Sequence, residues 1–348
     1  MARPDAPPRT APFPFDPTYG HDLAALRAVP GPAHEPDDFD AFWRDLYRRA
    51  RDVRVDARIE ERLPDGWQEA ALEGHQAGAA AVEAYRVSYT SLGGVRLGGW
   101  LTVPARGEPC RGAVIAHGYG GRAAPDPRLP MDGVASLQPC LRGLPALSAS
   151  PAVAAPHVLH GIASRETYVH GGCAADVWCA VTALHDLVPS LRGLRTDFQG
   201  SSFGGGIGAL ALPWDERFAT GQLTVPSFGD HPLRVGLECL GSGAQVRERW
   251  LADPSVLEVL AYFDAATAAR RLRIPVHVAA ALLDPAVPPP GQFAVFNCLA
   301  GPKELHVMPF GHWPDHSDHQ AVQDRLHTAM REFFARPRPD PDLARVTP

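Results

Sequence analysis

The spacing of apolar and polar positions changes period along the chain, and each change predicts an element. In "PDDFDAFWRDLYRRARD", residues 36–52, Phe39, Phe42, Trp43, Leu46 and Tyr47 recur at i, i+3, i+4, i+7 and i+8. That is one face of a helix, with Asp37 or Asp38 placed to cap it. The stretch "VEAYRVSYTSLGGVRLGGWLTVPA" then alternates with period two on both sides of Gly93-Gly94, which predicts two strands joined by a tight glycine turn. "GAVIAHGYGG" is a short apolar run opening into glycines, the profile of a buried parallel strand feeding a loop. "DGVASLQ" is a weaker strand signal. A helical pattern starts at about Ser164 in "SRETYVHGGCAADVWCAVTALHDLV", with Ser164 to Thr167 at its cap and Gly171-Gly172 weakening its middle. "LRTDFQ", "ATGQLTVPS", "IPVHVAAALLD" and "ELHVMPF" read as strands. "HQAVQDRLHTAMREFFARP" closes as an amphipathic helix, stopped by Pro337.

Strands alternate with helical stretches through most of residues 110–336, which predicts a mostly parallel central sheet flanked by helices on both faces. Residues 1–35 are Pro-rich and aperiodic and are expected to wrap the surface as an arm. The domain proper is expected over 36–338, with 339–348 as a tail. Residues 230–262 carry several short helical pieces, expected as an excursion over the sheet.

Composition narrows the function. A chain of 348 residues holds one large α/β domain or two smaller ones. No stretch approaches the roughly 18 consecutive apolar residues of a transmembrane helix, so no membrane is expected as a partner. The Pro-rich N-terminus lacks the apolar core of a secretory signal. The net charge of -6 comes with no basic stripe, so no nucleic acid is expected either. The six cysteines include no pair at CxxC spacing, which fits reduced thiols in a cytoplasmic protein.

The candidate chemistry begins at "DFQGSSFGGGIG". Gly200-Ser201-Ser202-Phe203-Gly204 fits G-x-S-x-G between a predicted strand and an apolar helix start, the nucleophile elbow of the α/β-hydrolase fold. The spacing puts Ser202 at the centre, and Ser201 is the rival. A serine hydroxyl attacks only when a base takes its proton, and in this fold acid and base follow in the order Ser, acid, His. Asp284 ends one apolar run and His312 the next. Both therefore sit at C-terminal ends of predicted parallel strands, where open α/β sheets gather their sites. Asp284 would orient the imidazole and His312 would shuttle the proton. The backbone N–H groups of Phe203 and Tyr119 are the candidate oxyanion donors. His312, His316 and His319 with Asp315 and Asp318 are the alternative, a metal cluster. Pro314 breaks the helical spacing that a zinc site would use, and no metal is expected. Gly204-Gly205-Gly206 lacks the spacing and lysine of a phosphate loop.

The chain as a whole resembles the acetyl xylan esterase and cephalosporin-C deacetylase family, carbohydrate esterase family seven. The likeness covers roughly residues 35–336. It rests on "DFDAFW", "VSYTSLGGVRLGGWLTVP", "HGYGG", "LRG" at 141–143, "GSSFGGG", "LLDPAVPPP" and "FGHW", in the family's order. The resemblance implies Ser202, Asp284 and His312 in triad roles and Tyr119 and Phe203 in oxyanion roles. It implies deacetylation of small acylated sugars and of cephalosporin C, no metal or organic cofactor, and a homo-oligomer, commonly a hexamer. The chain departs from the family pattern at Leu144 and Phe203, where glutamine is usual, and at Trp313, where glutamate is usual. The segment 119–150 is also shorter than the family's. These departures bear on acyl and alcohol specificity. The rival readings are an esterase or peptidase with another acyl preference, and a non-catalytic binding protein on a hydrolase scaffold.

Overall fold

The structure, a computed structural model, describes residues 12–72, 80–144 and 156–336. Among these residues the strands are β1 (Arg58–Arg62), β2 (Val82–Ser91), β3 (Val95–Pro104), β4 (Arg111–Ala116), β5 (Val134–Pro139), β6 (Thr196–Ser201), β7 (Phe218–Thr224), β8 (Val276–Ala281) and β9 (Lys303–Met308). They form one sheet in the order β1-β2-β3-β5-β4-β6-β7-β8-β9. The hairpin β2–β3 and its neighbours β1 and β5 pair antiparallel, and β5-β4-β6-β7-β8-β9 run parallel. Strands β4, β5 and β8 are buried almost throughout, as a sheet covered on both faces requires.

The first amphipathic helix forms as its pattern predicts, over Phe39–Arg51. Its apolar face carries Trp43, which stacks on Trp214 at 6.3 Å and meets Trp178 edge-on at 6.3 Å, in the range where aromatic pairs attract. Its indole N–H donates to the Tyr262 carbonyl at 2.8 Å, so no polar atom is stranded. Asp38 stands at the N-cap position, yet its carboxylate turns to Arg165 and Tyr262 instead of capping. The opposite face of the sheet is covered by the helix His319–Ala335, through Val322, Leu326, Met330, Phe333 and Phe334.

Several elements differ from expectation. The long helix begins at Val169, not at Ser164; Ser164 and Thr167 bond each other in the preceding turn. Gly171-Gly172 therefore lie in its first turn, where they give a neighbour room. A Cβ on Gly172 would sit 2.6 Å from Arg142 Nη1. The prolines after Asp284 do not stay in a loop: Pro289 and Pro290 open a helix, Pro289–Cys298, because the first turn has no N–H to lose. Residues 12–35 lie only partly on the surface, since Leu26 and Val29 enter the core. Residues 230–262 form the expected short helices, His231–Arg234, Ser242–Ala252 and Val256–Leu260, which pack on one another and on the helix Pro289–Cys298. Pro337, the tail at 339–348, residues 1–11 of the arm and residues 145–150 of the shortened segment lie outside the described residues.

The room at Gly172 serves a buried ion pair. Arg142 meets Asp176 through Nε and Nη2, at 2.6 Å for the closest contact, and Asp176 also accepts from Ser91 Oγ and the Arg142 N–H. Arg142 Nη2 further donates to the Leu92 carbonyl at the hairpin turn. Removing one partner strands a buried charge, so Asp176→Ala is expected to lower stability by about 3–5 kcal/mol. Urea unfolding checks this, and a loss below about 1 kcal/mol, the scale of an exposed pair, would refute it.

Candidate active site

Ser202 is the single residue between β6 and the helix Phe203–Ala211, and it carries φ 55 and ψ −116. A non-glycine residue in that region stores roughly 1–3 kcal/mol and persists only where its surroundings over-determine it. Here they do. The Ser202 N–H donates to the Thr224 carbonyl at 2.8 Å, and its own carbonyl accepts from Gly206 at 3.0 Å and Ser227 at 3.1 Å. Gly204 must lack a side chain, because a Cβ there would lie 2.7 Å from the His117 carbonyl. Ser201 is the last, exposed residue of β6, and its side chain is not the one that meets the imidazole.

That meeting is made by Ser202. Its Oγ lies 2.9 Å from His312 Nε2, and His312 Nδ1 lies 2.8 and 3.0 Å from the two oxygens of Asp284. Asp284 stands three residues beyond β8 and His312 four beyond β9, at the C-terminal edge of the sheet. Asp284 is fully buried and accepts from the Ala286 and Val287 N–H groups, each at 2.9 Å, and from Gln292 Nε2 at 3.0 Å. An ionised carboxylate only accepts, so Nδ1–H donates to it and Nε2 is left to accept the serine proton. A Cβ on Gly311 would overlap Asp284 Oδ2, so glycine before His312 lets the two loops close. Gln292 was not singled out from the sequence. Its only signal was a lone amide inside the otherwise apolar "PPPGQFAVF".

Burial pushes the His312 imidazole down, and the charge and hydrogen bond of Asp284 together push it up. The second effect prevails, so its pKa stands above 6.5.

The two candidate oxyanion donors flank this serine. Phe203 opens its helix, so its N–H has no intrahelical acceptor. Tyr119 follows Gly118, which faces Ser202: a Cβ on Gly118 would lie 3.7 Å from the Ser202 Cβ. The loop is fixed by His117, whose Nδ1 donates to the Gly118 carbonyl at 2.7 Å while Nε2 accepts from the Leu141 N–H at 3.1 Å. That pairing requires a neutral ring, and burial lowers its pKa to about 4.

The residues that depart from the family pattern each have a packing role. Leu144 is buried in the core. The Phe203 ring is fully buried 4.4 Å from the Tyr119 ring and edge-on to His157, so it packs against the loop that carries the candidate donor Tyr119. Trp313 meets Phe13 of the N-terminal arm at 5.3 Å. The alternative metal cluster does not assemble. His316 packs on Phe310 at 4.1 Å and accepts from the Asp318 N–H, and among the described residues no three His, Cys, Asp or Glu side chains gather as a metal would need.

Strand order and elbow together define the α/β-hydrolase class. The chain belongs to the acetyl xylan esterase family: the family model, acetyl xylan esterase (AXE1), matches residues 21–329. It is 25% identical over 158 residues to acetyl esterase Axe7A of Xylanibacter ruminicola, a match spanning 45% of this chain and 36% of that relative's length. Among solved structures it resembles an acetyl xylan esterase from Paenibacillus sp. R4, with a TM-score of 0.73 and 23% identity over 89% of this chain and 99% of the other. It also resembles acetyl xylan esterase 1 from Thermoanaerobacterium sp. JW/SL YS485, with a TM-score of 0.70 and 19% identity over 91% and 99% of the two chains.

Histidine NMR titration is expected to place His312 above 6.5, and Asp284→Asn to bring it below, since burial then acts without the opposing charge. A wild-type value below 6.5 would contradict the geometry.

Proposed function

We propose that the protein is a serine esterase that removes acetyl groups from small acylated sugars or related compounds, with residues 36–338 as the catalytic domain. The hydrogen-bond chain from Ser202 through His312 to the buried Asp284 carries this reading. His312 Nε2 takes the Ser202 proton as Oγ attacks the ester carbonyl. Negative charge gathers on the carbonyl oxygen, where the N–H groups of Phe203 and Tyr119 are the proposed donors. The imidazolium then gives its proton to the leaving alkoxide, and Asp284 stabilises the charged ring meanwhile. His312 next deprotonates a water, which attacks the acetyl-enzyme; acetate leaves and Ser202 is restored. None of these steps calls for a metal or organic cofactor. Assembly into a homo-oligomer such as a hexamer belongs to the same proposal, with light scattering as its measurement.

Ser202→Ala is expected to lower kcat on para-nitrophenyl acetate by about a millionfold, the scale on which a serine hydrolase loses its nucleophile, while circular dichroism stays unchanged. Activity that survives in Ser202→Ala and vanishes in Ser201→Ala would move the nucleophile. Because His312 must be neutral to act as base, kcat/KM is expected to fall with decreasing pH, starting above 6.5. A series of nitrophenyl esters separates the deacetylase from an esterase or peptidase for longer groups. A sharp preference for acetyl supports the proposal, and a rise toward longer chains counts against it.

A further inference from the structure

Arg234 ends the short helix His231–Arg234, which packs on the helix Pro289–Cys298. Its side chain is 6% exposed. Its Nε and Nη1 are buried and have no hydrogen-bond partner among the described residues. Three other largely buried arginines are balanced by a carboxylate, Arg111 by Asp197, Arg142 by Asp176 and Arg217 by Asp215, while Arg122 donates to Gln138 and leaves its Nε unpaired. A guanidinium cannot shed its proton to escape the cost of burial, and an unpaired buried charge costs several kcal/mol.

No carboxylate among the described residues pairs with Arg234, although the buried Asp284 acts on the same Tyr19 and Cys239 side chains that the guanidinium does. The guanidinium carbon lies 5.9 Å from the centre of the Phe228 ring. The stem packs on Gly291, in the first turn of the helix that follows the Asp284 loop. His231 and His170 are both held neutral, primarily by burial, with the Arg234 charge adding to it. The Cys239 thiol is kept protonated by burial as well. His231 sets its Nε2 on the Phe263 carbonyl and His170 sets its Nε2 on the Tyr119 hydroxyl, so neither ring offers a carboxylate's charge.

Position ties this charge to the reacting centre. The Phe228 ring lies 6.0 Å from Phe203, next to Ser202. Its neighbour Ser227 donates its N–H to the Ser202 carbonyl. Arg234 is thus two aromatic rings, Phe228 and Phe203, from Ser202 and one loop from Asp284.

We infer that Arg234 recognises a carboxylate on the ester substrate, which makes this protein selective for acidic esters. The inference rests on the proposed esterase reading and names its substrate class. A carboxylate matches the planar fork of a guanidinium through paired N–H bonds, and it would give the guanidinium the partner that Nε and Nη1 lack.

The test uses the full chain and two matched pairs of esters. Para-acetoxybenzoate against its methyl ester places the carboxylate in the alcohol. Mono-para-nitrophenyl glutarate against para-nitrophenyl pentanoate places it in the acyl group. Wild type is expected to prefer the charged member of one pair, which identifies the side that faces Arg234. Arg234→Gln is expected to cut the charged-to-neutral ratio of kcat/KM by about tenfold to a hundredfold, chiefly through KM, as hydrogen bonds to charged groups require. Arg234→Lys should restore part of it. The ratio is insensitive to a partly unfolded sample, since both esters lose alike. An enzyme that hydrolyses the neutral esters but prefers neither charged partner overturns the inference and spares the esterase reading. A ratio unchanged in Arg234→Gln does the same. A chain that hydrolyses no ester overturns both.

Discussion

The site is organised around one buried negative charge. Asp284 is fully desolvated, and a carboxylate in that position is tolerable only if donors replace the lost water. The donors come from three pieces of chain: the Ala286 and Val287 amides from its own loop, Gln292 from the following helix, and His312 from the loop after β9. The Asp284 N–H in turn donates to the Pro17 carbonyl, which draws in the N-terminal arm. Satisfying this one group therefore fixes where four segments must lie. It also fixes the imidazole tautomer, because a carboxylate can only accept. The orientation of His312 toward Ser202 follows from that constraint.

The other half of the site is held by rigidity instead of charge. Ser202 keeps a positive φ because β6, β7 and the helix start leave its backbone no alternative. The Gly118-Tyr119 loop that faces it is tied through His117 to Leu141, and the next residue is Arg142. Arg142 is locked by Asp176 and reaches the turn of the β2–β3 hairpin through Leu92. A contiguous set of buried polar contacts thus runs from the hairpin to the loop that faces the serine. In the buried interior each such bond gains from the low dielectric, provided every member is paired.

Much of this was legible in the sequence, for local reasons. The Phe39–Arg51 helix, the hairpin and the parallel strands announce themselves by period, and the elbow by its small residues. Ser202, Asp284 and His312 could be selected because each follows a strand pattern in an order that the fold constrains. The rest depended on partners far away in the chain. The edge strand β1, Arg58–Arg62, is exposed at every residue, so it has no apolar alternation to read. The start of the long helix slipped from Ser164 to Val169 because Ser-x-x-Thr suits a turn as well as a cap. Gln292 and His117 act through groups contributed by other segments. Nothing in the sequence sets Arg234 apart from the other 32 lysines and arginines, because its burial comes from the fold.

The three departures from the family pattern also become intelligible together. Leu144, Phe203 and Trp313 each put an apolar group where a polar one is usual, and each is absorbed by packing on hydrophobic or aromatic neighbours. Phe203 stacks beneath Tyr119, so the loop bearing one candidate oxyanion donor rests on a ring and not on an amide network. Trp313 joins the His312 loop to Phe13 by an edge-on ring contact, which salt does not screen as it would a carboxylate pair. The hydrogen-bond chain of Ser202, His312 and Asp284 involves none of these side chains. They bear on that chain only through the packing around it. What they change is the material of its supports, from directional polar bonds to shape-dependent packing, in which a lost methylene is felt as a cavity.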